Sequence, residues 1–109
     1  MNPRERRLGE NEVLYREVNE RVLELQEEFG LAEERIDFVC ECAQVDCSER
    51  ISMDLRAYEH LREHPARFGV KPGHEVPDVE QVVEEHEGYV VVEKTGEGAD
   101  LAAARDPRS

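Results

Sequence analysis

Three cysteines, Cys40, Cys42 and Cys47, fall within eight residues of one another in FVCECAQVDCSER, and the chain has no others. This cluster limits the possible folds more than any other feature. The opening residues MNPRERRLGENE lack the apolar run of a secretory leader, so a cytoplasmic location is expected. An odd number of thiols in that setting argues against a disulfide framework. Residues at i and i+2 of a strand share a face, which suits joint chelation of one ion better than an unstrained bridge. C-x-C-x4-C therefore reads as three thiolates gathered on a strand and the turn that follows it. Zinc in a closed structural site takes four tetrahedral S or N ligands, so a histidine is needed to complete the set.

Two sets compete for that fourth place. Cys42-x4-Cys47-x12-His60-x3-His64 has the spacing of a C2H2 zinc finger. The helix expected there, DLRAYEHLREHP, has its apolar stripe at Leu55, Tyr58 and Leu61. At about 100° per residue, His60 and His64 lie roughly 160° and 120° away from that stripe. A finger needs both histidines facing inward, and the flanking Glu59 and Glu63 suit a DNA surface poorly. His74 lies in the turn VKPGHEVPD, where Gly73 opens backbone geometries closed to other residues. The predicted metal set is therefore Cys40, Cys42, Cys47 and His74, with structural zinc as the expected cofactor. Three thiolates would leave the site one unit negative, to be balanced by a nearby N–H or by Arg50. The plainer alternative is three free thiols, packed as small apolar groups, beside a turn histidine.

Charge and core size frame the rest. In 109 residues, 27 are Asp or Glu and 14 are Lys or Arg, a formal net charge of −13, with three Phe, three Tyr and no Trp. So few large apolar side chains give a thin core, which a metal joining segments about thirty residues apart would reinforce. The acidity disfavours direct binding to nucleic acid, which needs clustered Lys and Arg. The longest plainly apolar run, Tyr89 to Val92, is far short of the roughly 20 residues of a membrane span. Between Glu75 and Glu93 there are seven acidic and no basic residues. That stretch reads as a solvated face or as a docking surface for a basic partner, the acidic face then acting as a nucleic-acid mimic.

Along the chain, residues 1–9 are expected to fray, 10–94 to form a single α+β domain carrying the metal site, and 95–109 to be a flexible or partly helical tail. Leu14, Val18, Val22, Leu25 and Phe29 mark one stripe of a long helix ended by Gly30. The stripe is expected to cover the sheet, or else to pair two copies as a homodimer. Ile36–Cys42, Arg50–Met53, Arg67–Val70 and Tyr89–Val92 read as strands, the last one central. Asp54 is a helix N-cap and Pro65 a helix stop. Asp78 and Gln81 have capping-box spacing ahead of Val79, Val82, Val83 and His86, which predicts a third helix closed by Gly88, with His86 partly buried on its apolar face. The expected fold is α+β: a small, mainly antiparallel sheet of three or four strands, three helices and a metal staple.

The pieces FVCECAQVDCSERI, AYEHLREHPARF, VKPGHEVPDVEQVVE and YVVVEKTGE resemble small, acidic, actinobacterial-type proteins with an FxCEC…C…PGHE pattern, a group with no assigned activity. The likeness runs from about Glu10 to Ser109. Its distinctive residues here are Phe38, Cys40, Glu41, Cys42 and Cys47, then Pro72, Gly73, His74 and Glu75. The resemblance implies His74 as ligand in preference to His60 and His64, and it implies no reaction.

No catalytic constellation assembles from the sequence. Ser48, Ser52 and Ser109 lie outside any nucleophile elbow, and neither PGHE nor TGEG is a phosphate loop. Thiol chemistry at Cys42 or Cys47 beside Arg50, or an open zinc, is the weakest function class. The leading expectation is a zinc-binding regulatory or adaptor protein that contacts another protein. Next comes a redox or metal sensor.

Overall fold

The computed structural model describes residues 3–28, 35–44, 46–106 and 108. In chain order its elements are α1 (Pro3–Glu28), β1 (Ile36–Val39), β2 (Arg50–Met53), α2 (Leu55–Arg62), β3 (Arg67–Val70), β4 (Glu80–His86), β5 (Tyr89–Lys94) and α3 (Gly96–Ala104). The fold is α+β, with three helices and only antiparallel strand pairs among the described residues, in a two-stranded sheet β1-β2 and a three-stranded sheet β3-β5-β4. Five strands in two sheets replace the single sheet of three or four expected from the sequence.

Alternation places the strands. Ile36 and Phe38 point inward from β1 while Asp37 is exposed, and Ile51 and Met53 answer from β2 in the register Ile36↔Met53 and Phe38↔Ile51. β5 is central as expected, and Tyr89 to Val92 are all buried. Asp54 caps α2 by accepting a hydrogen bond from Ala57 N at 2.7 Å. Tyr58 of α2 then stacks on Phe38, ring centroids 4.3 Å apart. Gly69 of β3 sits under this packing. A Cβ there would lie 3.0 Å from Ile51 Cδ1, 3.2 Å from Leu61 Cδ1 and 3.3 Å from Met53 Cε. Those three residues are themselves buried, so Gly69→Ala is expected to cost about 1–3 kcal/mol by overpacking, read as a lower urea midpoint at unchanged slope.

Two expectations are corrected. The predicted third helix over Val79–His86 is the strand β4, hairpinned to β5 through Glu87 and Gly88, with Gly88 supplying φ 88° in the turn. A bulge between Val82 and Glu84 shifts the inward face by one residue, so Val83 packs on the core while Val82 is exposed. That shift imitated helical spacing, whereas the β-branched valines favour the extended chain. His86 is accordingly exposed, bonded to Glu84 at 2.8 Å and stacked on Tyr89, instead of partly buried on a helix. The third helix is α3, which occupies the segment expected to be a flexible or partly helical tail.

The second correction concerns α1. It begins at Pro3, within the stretch expected to fray, and Gly9 is buried where α1 crosses Leu101 of α3. Most of its apolar stripe faces away from the core: Leu14, Val18 and Leu25 are 54%, 41% and 38% exposed, and Val22 alone of the described stripe residues packs on the core. Phe29 and Gly30 lie outside the described residues. The buried side is largely polar, comprising Gly9, Glu12, Val13, Arg16, Asn19 and Leu23. These residues meet backbone carbonyls and ions that need partners. Arg16 donates to Pro65 O and Ala102 O at 2.6 and 2.8 Å, and its guanidinium lies 5.0 Å over the Phe68 ring. Around α2, Arg62 binds Glu20 and Asp106, while Arg108 bridges Glu20 and Glu59.

Lys94 Nζ lies 2.7 Å from Glu12 Oε1 and 3.5 Å from Glu80 Oε1, and all three side chains are buried. Burial, and then the adjoining Glu80 carboxylate, raise the Glu12 pKa well above the ordinary carboxylate value despite Lys94. A carboxyl group raised in the folded state adds stability that is complete below its unfolded value of about 4.3. That stability is lost as pH rises through the folded value. Stability is therefore expected to fall as pH climbs through the displaced Glu12 titration, and Glu12→Gln to flatten that part of the profile. Denaturant midpoints across a pH series would check this, and superimposable profiles for the two proteins would refute it.

Candidate metal centre

The β1-β2 ladder continues past its last strand residue, with Cys40 N donating to Glu49 O at 3.0 Å. One residue on, Glu41 N donates to Gly69 O at 2.8 Å, tying the cysteine segment to β3 as well. Cys40 and Cys42 are thus held between the two sheets, 2% and 0% exposed. The turn beyond returns Cys47, whose N donates to Gln44 O at 3.1 Å. From the other side, β3 runs into the turn Lys71–His74, closed by His74 N donating to Lys71 O at 3.0 Å and by Gly73 at φ 91°. α1 reaches over this loop, where Asn11 Nδ2 and Tyr15 Oη donate to Ala43 O and Gln44 O.

The result is one cluster. A ligand atom from each of Cys40, Cys42, Cys47 and His74 lies within 4.8 Å of all the others. His74 Nδ1 is 3.7 Å from Cys40 Sγ and 3.6 Å from Cys47 Sγ. A tetrahedron with metal–sulfur bonds near 2.3 Å and a metal–nitrogen bond near 2.05 Å has S···N edges of about 3.5–3.6 Å. The imidazole therefore stands at ligand distance already, with Nδ1 as the donor atom. Three cysteines and a histidine this close can hold a metal ion, and the thiolate-rich set favours a soft or borderline cation over magnesium or calcium.

The thiols differ in their surroundings. Cys42 donates its S–H toward Cys40, which lowers the Cys40 pKa; burial opposes this, and the Lys71 N–H, 3.2 Å from the sulfur, adds to it. Sharing that proton holds the Cys42 pKa far above the usual thiol value. Burial raises Cys47. Cys47 and His74 are half-exposed, so the cluster is closed toward the core and open toward solvent.

No family model, curated protein or solved structure matches this chain. The site therefore rests on its own geometry.

All four residues in the predicted set come together, and the competing histidines do not join them. His60 is 60% exposed on α2 with Nδ1 3.2 Å from Glu63 Oε2, and its ring meets His64 edge-on at 6.3 Å. Arg50 donates to Ser48 O, just ahead of β2, and the donors to the cysteine sulfurs are backbone N–H groups, with Lys71 N 3.2 Å from Cys40 Sγ. Glu41 is the residue whose role the sequence did not disclose. Strand alternation turns its side chain away from the two thiols flanking it, yet it is fully buried. Its Oε2 accepts from Asn19 Nδ2 at 2.8 Å and from Tyr58 Oη at 2.7 Å, and its Oε1 from Gly69 N at 3.0 Å. Asn19 also brackets β1, donating to Val39 O and accepting from Val39 N. The carboxylate between the cysteines thus anchors the thiol-bearing segment to α1, α2 and β3. The C-E-C tripeptide was its only sequence signal.

Among the described residues, no helix is long and apolar enough to cross a membrane.

Proposed function

We propose that the protein is a small zinc-binding protein of the cytoplasm, in which zinc at Cys40, Cys42, Cys47 and His74 is a structural staple. On this reading it serves as a regulatory or adaptor protein through contacts with another protein. The observation that carries the zinc is the convergence of three thiols and His74 Nδ1 from opposite sides of the fold, with S···N spacings of 3.6 and 3.7 Å. Two of the thiols are buried and backed by hydrogen-bonded backbone, as a closed structural site requires. The adaptor role draws on the acidic β4–β5 hairpin, where Glu85 and Glu87 are exposed and no lysine or arginine intervenes between Glu75 and Glu93. A basic protein segment is the partner such a surface suits.

A specific observation favours a second reading, a thiol-based redox or metal sensor. The half-exposed Cys47 and His74 leave one side of the cluster within reach of oxidants.

Metal analysis of protein purified without tag or chelator tests the proposal. About one zinc per chain is expected, retained in His60→Ala and lost in His74→Ala. Cobalt should give tetrahedral thiolate spectra in the wild type and lose them in Cys42→Ser. Protein that takes up neither metal would overturn the reading, and rapid, reversible loss of zinc to peroxide would favour the sensor over the adaptor.

A further inference from the structure

We infer that α1 is a self-association surface on which two copies of this chain pair antiparallel, helix against helix. The first observation is the outward stripe. At about 100° per residue, Arg7, Leu14, Val18, Arg21 and Leu25 share an arc of roughly 60°, and the three apolar members are 38–54% exposed. The opposite side of the helix is committed to the fold by Glu12, Arg16 and Asn19, so rotation of α1 cannot bury the stripe.

The second observation is charge. α1 carries Arg4, Arg6 and Arg7 against the single acid Glu5 at its start, and Glu24, Glu27 and Glu28 at its end with no basic residue in the last turn. That arrangement opposes the helix dipole, which favours acids at the N-terminus and bases at the C-terminus. It is, however, self-complementary. An antiparallel partner centred between Glu17 and Val18 sets Arg7 against Glu28 and brings Arg21 beside Glu10 and Glu17 of the other copy. Leu14, Val18 and Leu25 then fill the seam. The existing ion pairs of this face, Arg6–Glu10 and Arg21–Glu24, are exposed and hold little energy against exchange. Although each chain carries −13, this face has acids and bases in near balance, so a second copy fits it better than a strongly basic partner does.

The helix spans about 39 Å at 1.5 Å per residue, close to the longest dimension of the molecule, 42 Å. Three apolar side chains make a modest seam, so the association is reversible and concentration-dependent. Sedimentation equilibrium of the metal-loaded chain from 10 to 500 µM (about a fiftyfold span) should show the mass rising from 12.6 kDa toward twice that value. Leu14→Ser/Val18→Ser is expected to weaken association more than about tenfold. Both side chains are exposed, so the far-UV spectrum and the cobalt spectrum should stay unchanged. Arg7→Glu should weaken it about fivefold, and Arg7→Glu/Glu28→Arg should restore it. A folded chain that stays monomeric throughout would overturn the inference, whether or not it binds a basic helical peptide. So would a charge reversal that fails to restore pairing.

Discussion

Stripping the metal from the reduced protein with a strong chelator is expected to lower its melting temperature by more than about 15 °C. The size follows from what the ion would hold. Structural zinc in small domains contributes on the order of 10 kcal/mol of apparent binding energy, and a site at a thousand times its dissociation constant already adds about 4 kcal/mol. For a domain of this size each kcal/mol moves the midpoint by roughly 4–8 °C. The core that remains has Tyr58, Tyr89, Phe38 and Phe68 as its largest apolar members, alongside buried ions that cost energy to desolvate. Cys42→Ser should mimic the chelator, because it removes a ligand from the buried half of the site. Cys47→Ser, at the half-exposed edge, should be milder. Calorimetry with and without chelator decides the matter: coincident melting curves would mean the four side chains meet without binding a structural ion.

Replacing Glu41 by alanine is expected to cost roughly 3–5 kcal/mol, comparable with the loss of a buried ionic partner. Three donors, Asn19 Nδ2, Tyr58 Oη and Gly69 N, would lose their shared acceptor inside the protein. Each buried polar group left unsatisfied costs about 1–3 kcal/mol. Glu41→Gln keeps the shape but turns an NH2 toward donors, so about half that penalty is expected. Because this carboxylate positions the segment bearing Cys40 and Cys42, metal affinity should also fall, by about 10–100-fold. Urea denaturation and a competitive zinc titration separate the two effects. A cost below about 1 kcal/mol would show that water replaces the carboxylate without strain.

What the sequence disclosed and what it hid follow from the range of the interactions concerned. β1, β2, β3 and β5 and the Asp54 cap rest on alternation and on side-chain-to-backbone bonds a few residues long, and each appears where local pattern places it, except that β1 ends at Val39, short of Cys42. The four candidate ligands could be read because few residue types bind a soft metal, and the chain has only three thiols to spend. At β4 a single bulged residue converts a period of two into an apparent helical spacing at Val79, Val82, Val83 and His86. The helical period of α1 was visible, but its orientation was not. Which side turns inward is decided by Pro65 O, Ala102 O, Glu41 and Lys94, residues far away in sequence that present polar groups to it. Glu41 was hidden for the same reason. Its three donors come from α1, α2 and β3, and no local window contains them.

The clamp that Arg108 forms on Glu20 and Glu59 joins positions 88 and 49 residues apart, respectively. A ribosome adding about 5–20 residues per second takes roughly 2–7 s to pass from His74 to Arg108. All four candidate metal ligands emerge before it does, with His74 the last of them. During synthesis the thiol cluster could therefore bind a metal ion while Glu20 and Arg62 still lack Asp106 and Arg108. Metal capture would precede closure of this ionic network, and would hold the sheets together until the network closes.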